Sequence, residues 1–187
     1  MTDNTKKNKF EMSLIAAGFG GQGLMVLGQL IAYTGIEEGR YVSWIPSYGP
    51  EMRGGTANCC VIVSSEEIGA PVVSEADIIV VMNQPSFDKF KDDVKKNGIL
   101  LYNSDLVKAE GTRSDIRLIP VPANTIALAE GSEKVANIAM LGAVVAASKI
   151  VGDNSCVETL KEKLGKKKPE FLPMNLSTYE KGKALVA

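Results

Sequence analysis

An α/β fold is what this chain predicts, and three observations predict it. Short apolar runs, such as the uncharged MSLIAAG at 12–18 and the largely apolar ADIIVVM at 76–82, alternate with segments whose apolar residues recur at helical spacing. Runs of that kind suit strands covered on both faces, as in parallel sheets. The first run ends in four glycines within six residues, GFGGQG, a turn that leads from a strand into a helix. Together they predict a three-layer α/β/α, Rossmann-like arrangement: a mostly parallel sheet with flanking helices.

Taken in order, residues 12–18 (MSLIAAG) read as a short buried strand. A helix follows over 22–38, where Leu24, Leu27, Ile31, Tyr33 and Ile36 recur near helical spacing with few charges; it is expected to be largely buried, and Gly39 ends it. Residues 41–45 (YVSWI) are a second strand. Residues 46–55 (PSYGPEMRGG) carry two prolines and three glycines, which predict a shaped loop without regular structure. Strand returns at 56–64 and, briefly, at 68–73, where Pro71 interrupts it; 76–82 is a central strand. Phe87, Phe90 and Val94 lie three and four apart amid lysines and aspartates, predicting an amphipathic surface helix over 85–96 closed by Asn97-Gly98. Residues 99–102 and 116–121 supply two further strands.

The last third is helical. After a helix at 124–130, residues 133–151 are Ala- and Val-rich around most of the circumference, so this helix is central to packing. Residues 155–164 form a shorter one, with Ser155 as cap and Glu158 completing a capping box. Beyond the lysines at 166–168 and two prolines, 175–187 form a final helix. Neither repeats nor a low-complexity linker break the chain, so residues 12–187 are expected to be a single domain behind a flexible N-terminal segment, 1–11.

Composition narrows the chemistry. The 187 residues, 45% of them hydrophobic, suffice for one sizeable core. Lys and Arg number 21 against 22 Asp and Glu, which leaves no charge excess to attract nucleic acid or an anionic membrane. No apolar run approaches the roughly 20 residues of a membrane span, and the polar opening lacks the apolar stretch of a signal peptide; the expected location is cytoplasmic. Histidine is absent, which removes the commonest general base, a common metal ligand and every Ser-His or Cys-His pair. Cys59, Cys60 and Cys156 include no C-x-x-C, so one copy cannot assemble a four-thiolate zinc or iron-sulfur site. They read as buried thiols, and Cys59 and Cys60, adjacent in a strand, point to opposite faces.

Gly18, Gly20 and Gly23 satisfy G-x-G-x-x-G, the turn that brings backbone close to a pyrophosphate at a helix N-terminus. A dinucleotide site also wants an acid about 20 residues further on, at the end of the second strand. That strand ends at Ile45-Pro46-Ser47, and Glu51 lies beyond it in a loop of its own. No Lys-Ser or Lys-Thr follows the glycines, so this is not a Walker A loop. Two readings stand. Gly18, Gly20, Gly21, Gln22 and Gly23 present backbone N–H groups to an anion, or the glycines only let helix, strand and a partner approach closely. Ser47, Ser104 and Asp105 lack a base to activate a serine, so no residue is assigned as catalytic.

GFGGQG at 18–23, SYGPEMRGG at 47–55 and Asn137 with the small-residue helix containing Gly142 together resemble the gamma subunit of the 2-oxoacid:ferredoxin oxidoreductases, over about residues 12–185. A chain of this length is most similar to the separate gamma subunits of the 2-oxoglutarate or 2-ketoisovalerate type. The resemblance implies a complex that oxidatively decarboxylates a 2-oxoacid onto coenzyme A and passes electrons to ferredoxin. It implies thiamine diphosphate on alpha and beta subunits and iron-sulfur clusters on a delta or beta subunit, with no cofactor held firmly by this chain alone. On that reading the glycine loop meets a coenzyme A phosphate. Ser47, Tyr48, Gly49, Glu51, Arg53, Gly54 and Gly55 form a docking surface for the other subunits, and the isolated chain pairs as a homodimer. A stand-alone NAD- or FAD-binding oxidoreductase and a purely structural homodimeric module are the alternatives.

Overall fold

The computed structural model describes residues 9–47, 56–166 and 168–186. The strands are β1 (Glu11–Phe19), β2 (Tyr41–Ser47), β3 (Thr56–Ser64), β4 (Ala76–Val81), β5 (Val94–Asn103) and β6 (Arg117–Val121). The helices are α1 (Leu24–Glu37), α2 (Gln84–Phe90), α3 (Ala123–Ala129), α4 (Ala136–Ser148), α5 (Asp153–Leu160) and α6 (Leu172–Ala184). The strands make one sheet in the order β2-β3-β1-β4-β5-β6. β1, β4, β5 and β6 pair in parallel, whereas β3 runs antiparallel to both β1 and β2. Five strands therefore point one way, as the apolar runs predict, and β3 alone is reversed.

Alternation along β1 sorts side chains between two cores. Leu14 and Ala16 face the larger one, built with α1, α3, α4, α5 and α6; Ile15 and Ala17 face the smaller one, closed by Phe87 and Phe90 of α2. The three layers are thus unequal. α4 is the middle of the thick side, buried at almost every position from Ala136 to Val145. Its contact with α6 is backbone to backbone: a Cβ at Gly142 would collide with the Tyr179 carbonyl oxygen, and one at Gly182 with that of Ala139. Tyr179, fully buried, donates from its hydroxyl to Asp153 at 3.0 Å, tying α6 to α5.

Several sequence expectations are corrected. The amphipathic helix ends at Phe90, not Lys96, and Val94 already belongs to β5. Phe87, Phe90 and Val94 are all buried in the smaller core, so their spacing reports burial and not one helix. Asn97-Gly98 is a bulge inside β5, since Ala76 pairs with Val94 and Ile78 with Ile99. Asn97 takes φ 62°, and a Cβ on Gly98 would meet the Lys95 and Asp77 carbonyl oxygens at 2.8 and 2.9 Å. The 68–73 segment is not strand, and β2 runs on through Pro46 and Ser47, which an edge strand tolerates. The Ser155 capping box does not form: Gly152 precedes the first turn of α5, and Asp153 serves Tyr179 and Lys183 instead. Helix 133–151 divides into a short 3₁₀ turn and α4, and the final helix starts earlier, with Pro173 in its first turn. On α1, Tyr33 and Ile36 are exposed.

Candidate functional site

The glycine loop lies at the C-terminal end of β1, where open α/β sheets bind their ligands. Its shape is held from both sides. Gln22 Oε1 accepts from the Phe19 N–H at 2.7 Å, while its Nε2 donates to the Met82 carbonyl at 3.1 Å, so one amide ties the loop to the end of β4. Across the loop, Asn137 Nδ2 donates to the Gly23 carbonyl at 3.0 Å, joining the start of α4 to the start of α1.

The four glycines have different reasons. A Cβ on Gly18 would meet Gln22 Oε1 and Leu24 Cδ1 at 2.6 Å, and one on Gly23, which has φ 74°, would meet Asn137 Nδ2 at 2.5 Å. Gly21 needs its positive φ of 94°. Gly20 needs neither: its φ is not positive, and a Cβ there would have nothing within 4 Å. The amides of Gly20, Gly21 and Gly23 donate to no backbone acceptor among the described residues. At the head of the 14-residue α1 they form the positive end of a helix dipole.

Two depressions flank the loop. A crevice of about 330 Å³ is lined by Gly21, Gln22, Met82, Asn124 and Lys134, among others. Along its wall Asn103 donates to Asn124 at 2.7 Å and Asn124 to Glu133 at 2.6 Å. A larger cavity of about 460 Å³ lies on the far side, bounded by Gly23, α4 and the start of α6, and Lys134 borders both.

Of the residues expected from sequence, Gly18, Gly20, Gly21, Gln22 and Gly23 are gathered here. The docking set is described only at Ser47; Tyr48, Gly49, Glu51, Arg53, Gly54 and Gly55 lie outside the described residues. The sheet register does place the described residues on either side of them. Ser47 pairs with Asn58 and Asn58 with Ala17, and Thr56 pairs with Phe19, so Ser47 and Thr56 sit at the same end of the sheet as the glycine loop. Asp105 accepts from the N–H and hydroxyl of Thr125, both at 2.8 Å, and so caps α3. Sequence reasoning missed Lys134, Asn124 and Asn175. Each comes from more than 100 residues beyond the loop, and no spacing marks it.

Cys59 and Cys156 are buried as expected, whereas Cys60 is only half-buried. Cys59 and Cys60 face opposite cores, as adjacent strand residues must. Burial pushes the Cys59 thiol up to about 12, with Trp44 pulling against it, and Cys156 up to about 11. Among the described residues no three His, Cys, Asp or Glu side chains gather as a metal-binding group, and no helix is long and apolar enough to cross a membrane.

The geometry defines an α/β protein with a glycine loop at a sheet terminus, and comparison with known proteins identifies its kin. Residues 13–185 match the pyruvate ferredoxin/flavodoxin oxidoreductase family, and the chain belongs to it. It is 40% identical over 173 residues to the ketoisovalerate oxidoreductase subunit VorA of Methanothermobacter thermautotrophicus, covering 92% of this chain but 36% of that one. It is 33% identical over 182 residues to the 2-oxoglutarate synthase subunit KorC of Methanocaldococcus jannaschii, covering 96% of each. It thus spans about a third of the first relative and nearly all of the second. Among solved structures, 2-oxoglutarate:ferredoxin oxidoreductase from Magnetococcus marinus, with 2-oxoglutarate, coenzyme A and succinyl-CoA bound, superposes with TM-score 0.86 at 28% identity, over 94% of this chain and 31% of that one. The keto/oxoacid ferredoxin oxidoreductase gamma subunit from Geobacter sulfurreducens gives 0.83 at 27%, over 95% and 97%.

Proposed function

We propose that this chain is the gamma subunit of a cytoplasmic, thiamine-dependent 2-oxoacid:ferredoxin oxidoreductase of the 2-oxoglutarate or 2-ketoisovalerate type. It acts as one domain over residues 12–187, docks onto alpha and beta subunits, with a delta subunit where one exists, and offers its glycine loop to a phosphate of coenzyme A. Thiamine diphosphate and iron-sulfur clusters belong to the other subunits, which pass electrons to ferredoxin. The isolated chain is inactive and pairs with itself. Gly20 carries the ligand part of this reading: the fold requires glycine at 18, 21 and 23, whereas at 20 only something approaching from outside makes a side chain costly. The amides of Gly20, Gly21 and Gly23, which meet no backbone acceptor among the described residues, and Lys134 suit an anion.

The test is an anaerobic pull-down of the tagged chain from its own cells, with assays for thiamine diphosphate, iron and 2-oxoacid-dependent ferredoxin reduction. Co-eluting chains that carry cofactor and activity support the subunit reading and name the 2-oxoacid. A lone chain that retains a nucleotide returns the loop to an NAD or FAD enzyme, and a lone chain without one leaves a structural module. In the recovered complex, Gly20→Ala is expected to raise KM for coenzyme A while leaving the chain's own stability within about 0.5 kcal/mol of the parent. An unchanged KM removes the loop from coenzyme A binding.

A further inference from the structure

The two edges of the sheet are built differently. At one edge β6 has five residues, among them Arg117 and the exposed Pro120, a charge and a missing N–H of the kind that keep strands from pairing edge to edge. At the other edge β2 has seven residues and no charge from Tyr41 to Ser47. Its Tyr41 and Ile45 are 49% and 41% exposed. On the face toward α1, a depression of about 200 Å³ is lined by Ala32, Tyr33, Ile36, Val42 and Trp44, among others. Hydrogen bonding fixes which backbone groups of β2 point outward. Ser65 N–H donates to the Phe10 carbonyl at 2.8 Å, and Met82 N–H to that of Ala17 at 2.9 Å. Phe10 therefore turns toward β3 and Ala17 away from it. The alternation that follows bonds Val63, Val61 and Cys59 to β1, and Ser64, Ile62 and Cys60 to β2. Their partners on β2 are Tyr41, Ser43 and Ile45. Val42, Trp44 and Pro46 thus turn their backbone groups to the open edge, the phase at which an edge strand accepts proline. Among the described residues no turn or loop backbone group bonds to Val42 or Trp44.

Resting on the reading that the isolated chain pairs with itself, we infer that it does so through this edge, β2 lying antiparallel to β2 of a second copy about a two-fold axis at Ser43. The strand is self-complementary in that register. Val42 faces the second copy's Trp44 on the α1 side, and Tyr41 faces its Ile45 on the other, an aromatic against a β-branched residue. Both N–H and C=O of Val42 and Trp44 then find partners, and the second strand runs along the open side of the depression. Centring the axis on Val42 would set Trp44 against Arg40, and centring it on Trp44 would set Val42 against Pro46, which has no N–H. Pairing about Ser43 also ends itself. The next pair outward is Arg40 with Pro46, and the Arg40 N–H already donates to the Gly35 carbonyl at 3.0 Å. With β6 guarded, the result is a closed, isologous dimer and not an open stack of sheets.

The experiment is sedimentation equilibrium of the purified full chain. The expected result is a dimer whose Kd rises about tenfold or more with Tyr41→Lys or with Ile45→Lys, since each change occurs twice in a two-fold interface. Both positions are exposed, so the far-UV spectrum should stay that of the parent. Leu128→Lys, at an exposed apolar position on α3, should leave the Kd unchanged. The register has its own test. Ser43 bonds toward β3, so across the axis it forms the closer kind of antiparallel pair, with Cα atoms about 4.5 Å apart, within reach of a disulfide. Ser43→Cys, made together with Cys60→Ala to remove the neighbouring thiol on the same face, should give a covalent dimer on mild oxidation. A dimer that ignores both lysine changes and fails to cross-link at position 43 overturns the β2 interface and leaves self-pairing standing. A chain that is monomeric throughout overturns both. A monomer that takes up another subunit of the complex, and loses it on Ile45→Lys, assigns the edge to that subunit and overturns the second copy as its occupant.

Discussion

Gly23 and Gly20 sit three residues apart in one loop and answer to different constraints. Gly23 combines φ 74° with a neighbour, Asn137, in the space of its absent Cβ. Gly23→Ala is expected to destabilise the chain by about 1–3 kcal/mol, read by urea unfolding, through strain and the broken Asn137 bond. A change below about 0.5 kcal/mol would show that the loop shifts freely. The cysteines give a second test at this scale. Cys59 and Cys156 are buried, and their thiols stay protonated well above neutral pH. Burial raises Cys60 too, but it is only half-buried. A maleimide at pH 8 should therefore modify Cys60 ahead of the other two in the native chain, which peptide mapping reads. Prior labelling of Cys59 would contradict its placement in the large core.

At the scale of elements, the α4–α6 contact depends on two glycines, Gly142 against the backbone of Tyr179 and Gly182 against that of Ala139. Gly142→Ala or Gly182→Ala forces the helices apart along their whole interface, and each should cost at least about 3 kcal/mol or prevent folding, above the ordinary cost of an added methyl. A melting temperature close to the parent would show that the helices slide at little cost. β1, β4 and β5 are joined at their N-terminal ends by Asp77. Its Oδ2 accepts from Ser13 N–H at 2.8 Å, Ser13 hydroxyl at 2.7 Å and Lys95 at 2.9 Å. Burial alone would raise this carboxyl, but the Lys95 and Ser13 bonds outweigh it and hold it below the usual range. Because the folded value lies under the unfolded one, near 3.9, the stabilisation is fully present above the unfolded value and is lost as pH falls through the folded one. Asp77→Asn should lose less stability than the parent between pH 6 and pH 3, and equal losses would remove Asp77 from the acid response. Solvent screens part of this, since the Lys95 side chain is 44% exposed.

For the whole molecule, the sheet register carries Ser47 and Thr56, which flank residues 48–55 in sequence, to the glycine-loop end. Arg53→Ala is expected to weaken recovery of partner subunits or turnover of the complex and to leave the isolated chain's melting temperature nearly unchanged. A large fall in that temperature would assign Arg53 to the fold instead. The alternation of apolar runs and helical spacing, the placing of the glycine loop at a strand end, and the opposed faces of Cys59 and Cys60 were all legible in the sequence, because each follows from the local period of the backbone. The helix read through Val94 was not. Burial imposes the same apolar spacing on a short helix followed by a strand as on one longer helix, and Asn97-Gly98 serves a bulge as well as a helix end. The missing capping box has a similar origin: Asp153 is drawn to Tyr179 and Lys183, which lie about 30 residues away and come near only after α6 packs.

The sequence by itself determined the α/β class, the glycine loop and the exclusion of a histidine-based mechanism, since periodicity, turn chemistry and composition act over a few residues or none. Only the tertiary structure decided that β3 runs against the other strands, that five helices crowd one face, and that Asn124, Lys134, Asn137 and Asn175 converge around a loop more than 100 residues earlier in the chain. Those contacts arise from packing one long apolar helix, α4, between α1 and α6, and no local pattern along the chain encodes which distant surfaces that helix brings together.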